Sequence, residues 1–475
     1  MVFYLPESTI RGLKGGLTLL FAGRKNIDML NGTLWDKILM FAIPLALTGI
    51  LQQCFTAADV AVVGQFAGEA AMAAVGSNTP VVGLFVNLFV GVSLGTNVVI
   101  SQLTGRGDTR RIRQAVHTSL LLALVGGVIL TLIGELAAAP LLRLLDVPDE
   151  VFPMALSYLR IYILGLPVIF LYNFEAAIFR SQGETGKPLI ALAVSGVINV
   201  LLNLFFVIVL KRAADGVAAA TVLANLISSA MLFVMLMRDP GAIRVHPHEL
   251  KLDPVLLKNI LKIGIPSGVQ SCVFSLSNIC VQSAINSLGT IVIAASAAAF
   301  NLEIFSFFII NSFGQACTTF VGQNYGAGKE ERCVRTLRSS LLLDAFFAVV
   351  SCTLILVFAT PLLSLFNGNP EVIRLGTIRL KYLFFAYIFS LLIENFSGYL
   401  RGYGMSAIPA MTALVSVCGV RILWVFTIFR HHPDFPMLMT VYPVSLGINA
   451  LCLGVSSLVF ARKRGRNGFV GKLPY

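Results

Sequence analysis

Gln102-Leu-Thr-Gly105-Arg-Gly107 and Gln323-Asn-Tyr-Gly326-Ala-Gly328 share one motif, Gln-x-x-Gly-x-Gly, set 221 residues apart. The register holds on both sides of it. Ser119-Leu-Leu-Leu122 returns as Ser340-Leu-Leu-Leu343, Pro140-Leu-Leu142 as Pro361-Leu-Leu363, and Glu150-Val151 as Glu371-Val372. Further along, Arg180-x-x-Gly183 returns as Arg401-x-x-Gly404, and Ile43-Pro44 matches Ile265-Pro266 at a shift of 222. Coincidence at a single shift over so many positions marks an internal duplication.

The duplicated unit is apolar. The 475 residues are 57% hydrophobic and only 12% charged, against about 25% charged in soluble domains. Apolar runs bounded by charge, Pro or Gly predict twelve helical spans, from 38–63 to 437–461, six in each copy. The fold class is therefore an all-α polytopic membrane protein. The expected layout is an extension over 1–34, a first lobe over 35–237, a polar linker over 238–258, a second lobe over 259–461 and a basic tail over 462–475. Because six spans is an even number, both copies enter from one side and are related by a pseudo-twofold axis along the membrane normal. With this layout 26 of the 35 Lys and Arg fall on the side of the termini and 7 on the other. The positive-inside rule then places both termini in the cytoplasm and the chain in the inner or plasma membrane. The net charge of +12 reports orientation rather than nucleic-acid binding.

Several function classes drop out. The eight cysteines are scattered through apolar segments and read as small core hydrophobes, and the five histidines lie near segment ends or in loops, so no metal-based enzyme centre can be built. Gly105, Gly107, Gly326 and Gly328 lack the Lys-Ser/Thr ending of a nucleotide loop and read as structural turns, as do the turns that open at Arg180 and Arg401. A duplicated helical bundle with such an axis is the common plan of secondary transporters, and without an ATPase module or cofactor, transport would draw on an ion gradient. The run Gly15–Gly23 is too short to span; Met29 is a second candidate start. Gly105-Arg-Gly107-Asp108 matches a membrane aspartyl protease pattern, but in a basic loop and with no second aspartate at matching depth. No pore loop suggests a channel.

From Trp35 to Ala461 the chain resembles the multidrug and toxic compound extrusion (MATE) transporters of bacteria. The resemblance rests on Ile43-Pro44, on Ala-Ala-Asp59-Val-Ala-Val-Val-Gly64, on Val-Gly322-Gln323-Asn-Tyr-Gly326-Ala-Gly328, on the paired Arg-x-x-Gly turns, and on Asn199-Val-Leu-Leu-Asn203 followed by Gly216-Val-Ala-Ala-Ala. It implies a monomeric antiporter, without partner subunits, that exports amphipathic organic cations against H⁺ or Na⁺. The alternative is a lipid-linked oligosaccharide or metabolite flippase of the same superfamily.

Ionisable groups in the hydrocarbon core cost at least roughly 2.5–3.5 kcal/mol, so each is a functional candidate. Within the expected spans stand Asp59, Glu135, Glu175, Glu303, Asp344 and Glu394, against Arg160 and Arg421. At about 1.5 Å per residue, Asp59, Asn203 and Thr221 share the outer half of the first lobe, with Asn199 near mid-membrane and Tyr158 at similar depth. The resemblance assigns ion coupling, including a possible Na⁺ site, to Asp59, Asn199, Asn203, Thr221 and Tyr158. Many family members carry an aspartate where this chain has Asn203. In the second lobe Glu303 and Arg421 lie at similar depth and are expected to pair, or Glu303 attracts a cation. Glu394 faces either the cleft or Arg401. Gln270, Gln282 and Phe305, with Phe307 and Phe308, complete the expected cleft. The excess of membrane acids over arginines favours cationic substrates, and Glu175 and Asp344 are expected near water at the inner face.

Overall fold

The computed structural model describes residues 27–145 and 147–467. In it α1 (Trp35–Phe66), α2 (Glu69–Arg106), α3 (Thr109–Leu144), α4 (Phe152–Leu164), α5 (Leu166–Ser181), α6 (Gly186–Val209) and α7 (Ala214–Met237) build the first lobe. The second comprises α8 (Pro254–Ser287), α9 (Thr290–Gly326), α10 (Glu330–Val357), α11 (Ala359–Ser364), α12 (Pro370–Gly402), α13 (Ala407–Phe429), α14 (Phe435–Met439) and α15 (Val441–Asn467). Taking α4 and α5 as one span bent by 47°, the described residues contain twelve helical crossings. The bend has a local cause. Pro167 at the start of α5 cannot donate to the preceding turn, and a Cβ on Gly165 would stand 2.3 Å from the Val222 side chain. The symmetry mates α6 and α13 both lapse into π-helical turns, at Phe205–Val209, Leu414–Gly419 and Val425–Phe429.

Long antiparallel contact between α2 and α8 joins the lobes. Gly91-x3-Gly95 on α2 faces Gly264-x3-Gly268 on α8, the small-residue spacing that lets membrane helices touch backbone to backbone. A Cβ on Gly91 would fall 2.2 Å from Gly268 Cα, and one on Gly264 would fall 2.6 Å from Val92 O. This seam went unnoticed in the sequence because Gly is common in membrane helices generally.

The duplicated glycines divide into two roles. Gly107 and Gly328 adopt φ of 73° and 72°, the left-handed caps expected of turn residues. Gly105 and Gly326 lie inside the turns closed by Gly107 N to Thr104 O and Gly328 N to Tyr325 O, each at 3.0 Å, and have a second role. They lie in the last helical turns and press on the opposite lobe, where added Cβ atoms would fall 1.9 Å from Gln323 O and 2.0 Å from Gln102 O. Beside them, Gln102 Nε2 donates to Gly402 O and Gln323 Nε2 to Ser181 O, each at 2.7 Å. Both partners in one bond are shifted by 221 residues from those in the other, so the face that carries the termini is closed by two copies of one cross-lobe bond.

Of the expected extension, residues 1–26 and their apolar run lie outside the described residues, as do 468–475 of the tail. The segment 27–34 is packed on the second lobe. Asn324 Nδ2 and Arg332 Nε each donate to Met29 O at 3.1 Å, and Met29 is buried among Phe41, Phe313 and Phe320.

Candidate functional site

A cavity of about 640 Å³ lies between the lobes. From the first lobe it receives Asp59, Asn199, Thr221 and Arg180; from the second, Gln270, Glu394, Arg401, Phe307 and Phe308. Asp59 sits far along α1, toward the face opposite the termini. Asn203 Nδ2 donates to Asp59 Oδ1 at 2.5 Å and to Asn199 Oδ1 at 3.2 Å. The two asparagines share one face of α6 because they are one turn apart. Among the described residues the buried Asn203 Oδ1 has no partner, so this group retains acceptor capacity, as a carboxylate–amide site for a proton or a hard cation needs. Thr221 commits its hydroxyl to Val217 O at 3.0 Å. Tyr158 is buried, stacked on Tyr162 at 6.3 Å, and within electrostatic reach of Asp59. Asp59, Asn199 and Thr221 thus line the cavity, while Asn203, bonded to the first two, and Tyr158 stand behind its wall.

Second-lobe expectations fare differently. Glu303 does not pair with Arg421 and does not line the cavity. Arg379 holds it, with Nη2 to Oε1 at 2.8 Å and Nε to Oε2 at 3.2 Å. Arg379 was missed because the span was expected to begin at 376, with Arg379 left on the outer side; α12 begins at Pro370, which places Arg379 well inside the helix and 5% exposed. Arg421 instead donates to Asn278 Oδ1 at 2.6 Å and Ser445 Oγ at 3.2 Å, with its guanidinium 4.7 Å from the Tyr442 ring centre. Gln282 is exposed and bonded to Asn286. Phe305 lies off the helical face that presents Phe307 and Phe308 to the cavity. Glu175 and Asp344 are not reached by water: both are fully buried, bonded to Ser229 at 2.9 Å and Asn395 at 2.6 Å respectively. Glu135 lies near Arg160, at 3.6 Å.

The duplicated Arg-x-x-Gly motifs do form turns, with Arg180 O accepting from Gly183 N at 3.0 Å and Arg401 O from Gly404 N at 2.7 Å, but the two arginine side chains have a further place. Arg180 and Arg401 occupy the ends of α5 and α12 nearest the termini and form the cavity floor, just above the Gln102 and Gln323 bonds. Arg180 donates to Gln315 Oε1 across the lobes at 2.8 Å, and Arg401 to Gln270 Oε1 at 2.6 Å. The cavity therefore carries two carboxylates and two guanidiniums, and the count of acids over the whole membrane region misstates its charge.

The MatE family profile matches the chain twice, at residues 44–205 and 266–427, one match per lobe at the spacing of the duplication. The chain belongs to the MatE family. Among curated relatives of this family, the "Probable multidrug resistance protein YoeA" of Bacillus subtilis (strain 168) is 27% identical over 447 residues, covering 91% of this chain and 95% of the relative. The "FAD transporter" of Shewanella oneidensis is 24% identical over 328 residues, covering 67% and 72%. A solved MATE structure, in complex with MaL6, superposes with a TM-score of 0.85 at 19% identity, covering 94% of this chain and all of that one. The two-lobe architecture is thus that of MATE transporters, and the chain is a multi-pass membrane transporter of this multidrug efflux family.

Proposed function

We propose that the chain is a secondary active exporter in the plasma membrane, with cytoplasmic termini, that moves amphipathic organic compounds bearing a cationic centre out of the cell in exchange for H⁺ or Na⁺. One observation carries this reading: the Asp59–Asn203–Asn199 group opens on the same inter-lobe cavity that the aromatic side chains line. An ion and an organic substrate that share a chamber compete for it, and rocking of the lobes exposes that chamber to one side at a time. Asp59 is the coupling residue. Asn199, Asn203, Thr221 and Tyr158 shape its surroundings, and Phe307 and Phe308 supply flat apolar contacts for lipophilic rings. The chain acts as a monomer and needs no cofactor or ATPase subunit.

The test is efflux of a fluorescent lipophilic cation from proteoliposomes under an imposed ΔpH or an imposed ΔNa⁺, each alone. Wild type moves the dye under one gradient, which names the coupling ion, whereas Asp59→Asn inserts and folds but does not. Wild-type rates in Asp59→Asn would remove Asp59 from the mechanism. No movement under either gradient would return the search to lipid-linked or metabolite substrates of the superfamily, a class that the arginines on the cavity floor also suit.

A further inference from the structure

The cavity floor has a property that a purely cationic substrate leaves unexplained. A guanidinium has five N–H donors and no acceptor, and burying one without an anion is costly. Arg379, buried elsewhere in the second lobe, meets that cost with Glu303. Arg180 and Arg401 have no such partner: among the described residues neither makes an ion pair within 4.0 Å. Two donors of Arg180 are bonded, to Gln315 Oε1 and to Ala176 O at 3.1 Å. One donor of Arg401 is bonded, to Gln270 Oε1. Arg401 is 9% exposed, and its Nε is buried with no hydrogen-bond partner among the described residues. Glu394, one of the two carboxylates on the cavity wall, is within electrostatic reach of Arg401, seven residues on along the same helix, but among the described residues no ion pair within 4.0 Å joins them. The two arginines occupy duplicated positions, so each lobe brings one cation to the same floor.

We propose that Arg180 and Arg401 form an oxyanion subsite at the closed end of the cavity, and that the chain prefers the free carboxylate or phosphate form of an amphiphile over its uncharged counterpart. The inference rests on the export reading for its biological sense and deepens it: with Asp59 toward the opposite end, the chamber is polarised to take a zwitterion lengthwise, cationic group toward Asp59 and oxyanion on the floor. Carboxylate and phosphate share the chemistry that matters here, a planar or trigonal set of oxygens that a guanidinium fork can grip by two bonds. Gln315 and Gln270 hold the two forks in place while leaving donors free.

The experiment compares matched ligands on the full-length protein in detergent or nanodiscs by equilibrium binding. One pair is a fluorescent xanthene dye with a free carboxylate and its ethyl ester; the other is flavin mononucleotide and riboflavin. Wild type binds the acid at least tenfold tighter than the neutral form in one or both pairs, and the pair that shows it identifies the oxyanion source. In Arg180→Gln/Arg401→Gln the ratio of acid to neutral affinity falls at least tenfold, and in Arg180→Lys/Arg401→Lys a preference survives. Because a shifted conformational equilibrium moves both members of a pair together, the ratio separates recognition from a structural role. A wild-type ratio near one, or a ratio unchanged in the glutamine variant, overturns the subsite. Should the double glutamine variant not fold, the single variants and the lysine variant carry the same comparison. Efflux is measured separately: acid-selective binding without gradient-driven movement sinks the export reading and leaves the subsite standing, and ester efflux with no acid preference does the reverse.

Discussion

Glu303 and Arg379 show how strongly a buried charge depends on its partner. Their side chains are 7% and 6% exposed and bonded by both forks, so removing one leaves the other uncompensated, at a cost of about 3–5 kcal/mol. We expect Arg379→Met to lower the melting temperature sharply or prevent purification, and Glu303→Gln combined with Arg379→Met to recover much of the loss. Additive losses in the double variant would show the pair to be energetically idle. At this scale the sequence was legible where depth alone decides contact. Asp59, Asn199 and Asn203 meet as their positions along α1 and α6 imply. It was not legible where a helix start moves a charge from loop to core, as at Arg379, nor for the roles of Arg180 and Arg401, since whether a cation near a helix end faces water or a cavity depends on the opposite lobe.

Among elements, the α2–α8 seam is the contact with least tolerance. Four glycines let two backbones touch, and the atoms that a side chain would strike belong to backbone, which cannot rotate away. Gly91→Leu and Gly264→Leu should therefore cost more than the ~1–3 kcal/mol of ordinary overpacking, read as aggregation or an early melt in detergent. Gly83→Ala, on the same helix but with nothing within 4 Å of the added carbon, should melt at or above the wild-type temperature. Equal effects at Gly83 and Gly91 would mean that helix propensity, not the seam, is being measured. The duplication told which helices correspond but not which of them touch, because translation along the sequence contains no information about the angle between lobes. The bend at Gly165 was equally hidden: a single Gly-Leu-Pro inside an apolar run reads as one span with a proline near its middle, and the break depends on Val222 arriving from another helix.

In the whole molecule, side-chain bonds between lobes run from mid-depth to the terminus-bearing face: Asn87 to Ser275 at 3.0 Å, Asn97 to Thr319 at 3.0 Å, Arg180 to Gln315 at 2.8 Å, then the Gln102 and Gln323 pair. The conformer is therefore shut at that face. Each glutamine bond contributes about 0.5–1.5 kcal/mol net, and both must break together when the lobes rock, because symmetry makes them parts of one closure. Removing both costs the closed conformer about 2 kcal/mol, which moves an equilibrium between conformers roughly thirtyfold. We expect Gln102→Ala/Gln323→Ala to raise the rate at which an impermeant maleimide, applied to the terminus-bearing face, labels a cysteine placed at Asn97 or Thr319 in a cysteine-depleted background. The single variants should give intermediate rates. Labelling unchanged in the double variant would show that the seam of glycines, not the duplicated glutamines, holds that face closed, and the repeat that first marks the fold would then be a packing motif with no part in the conformational cycle.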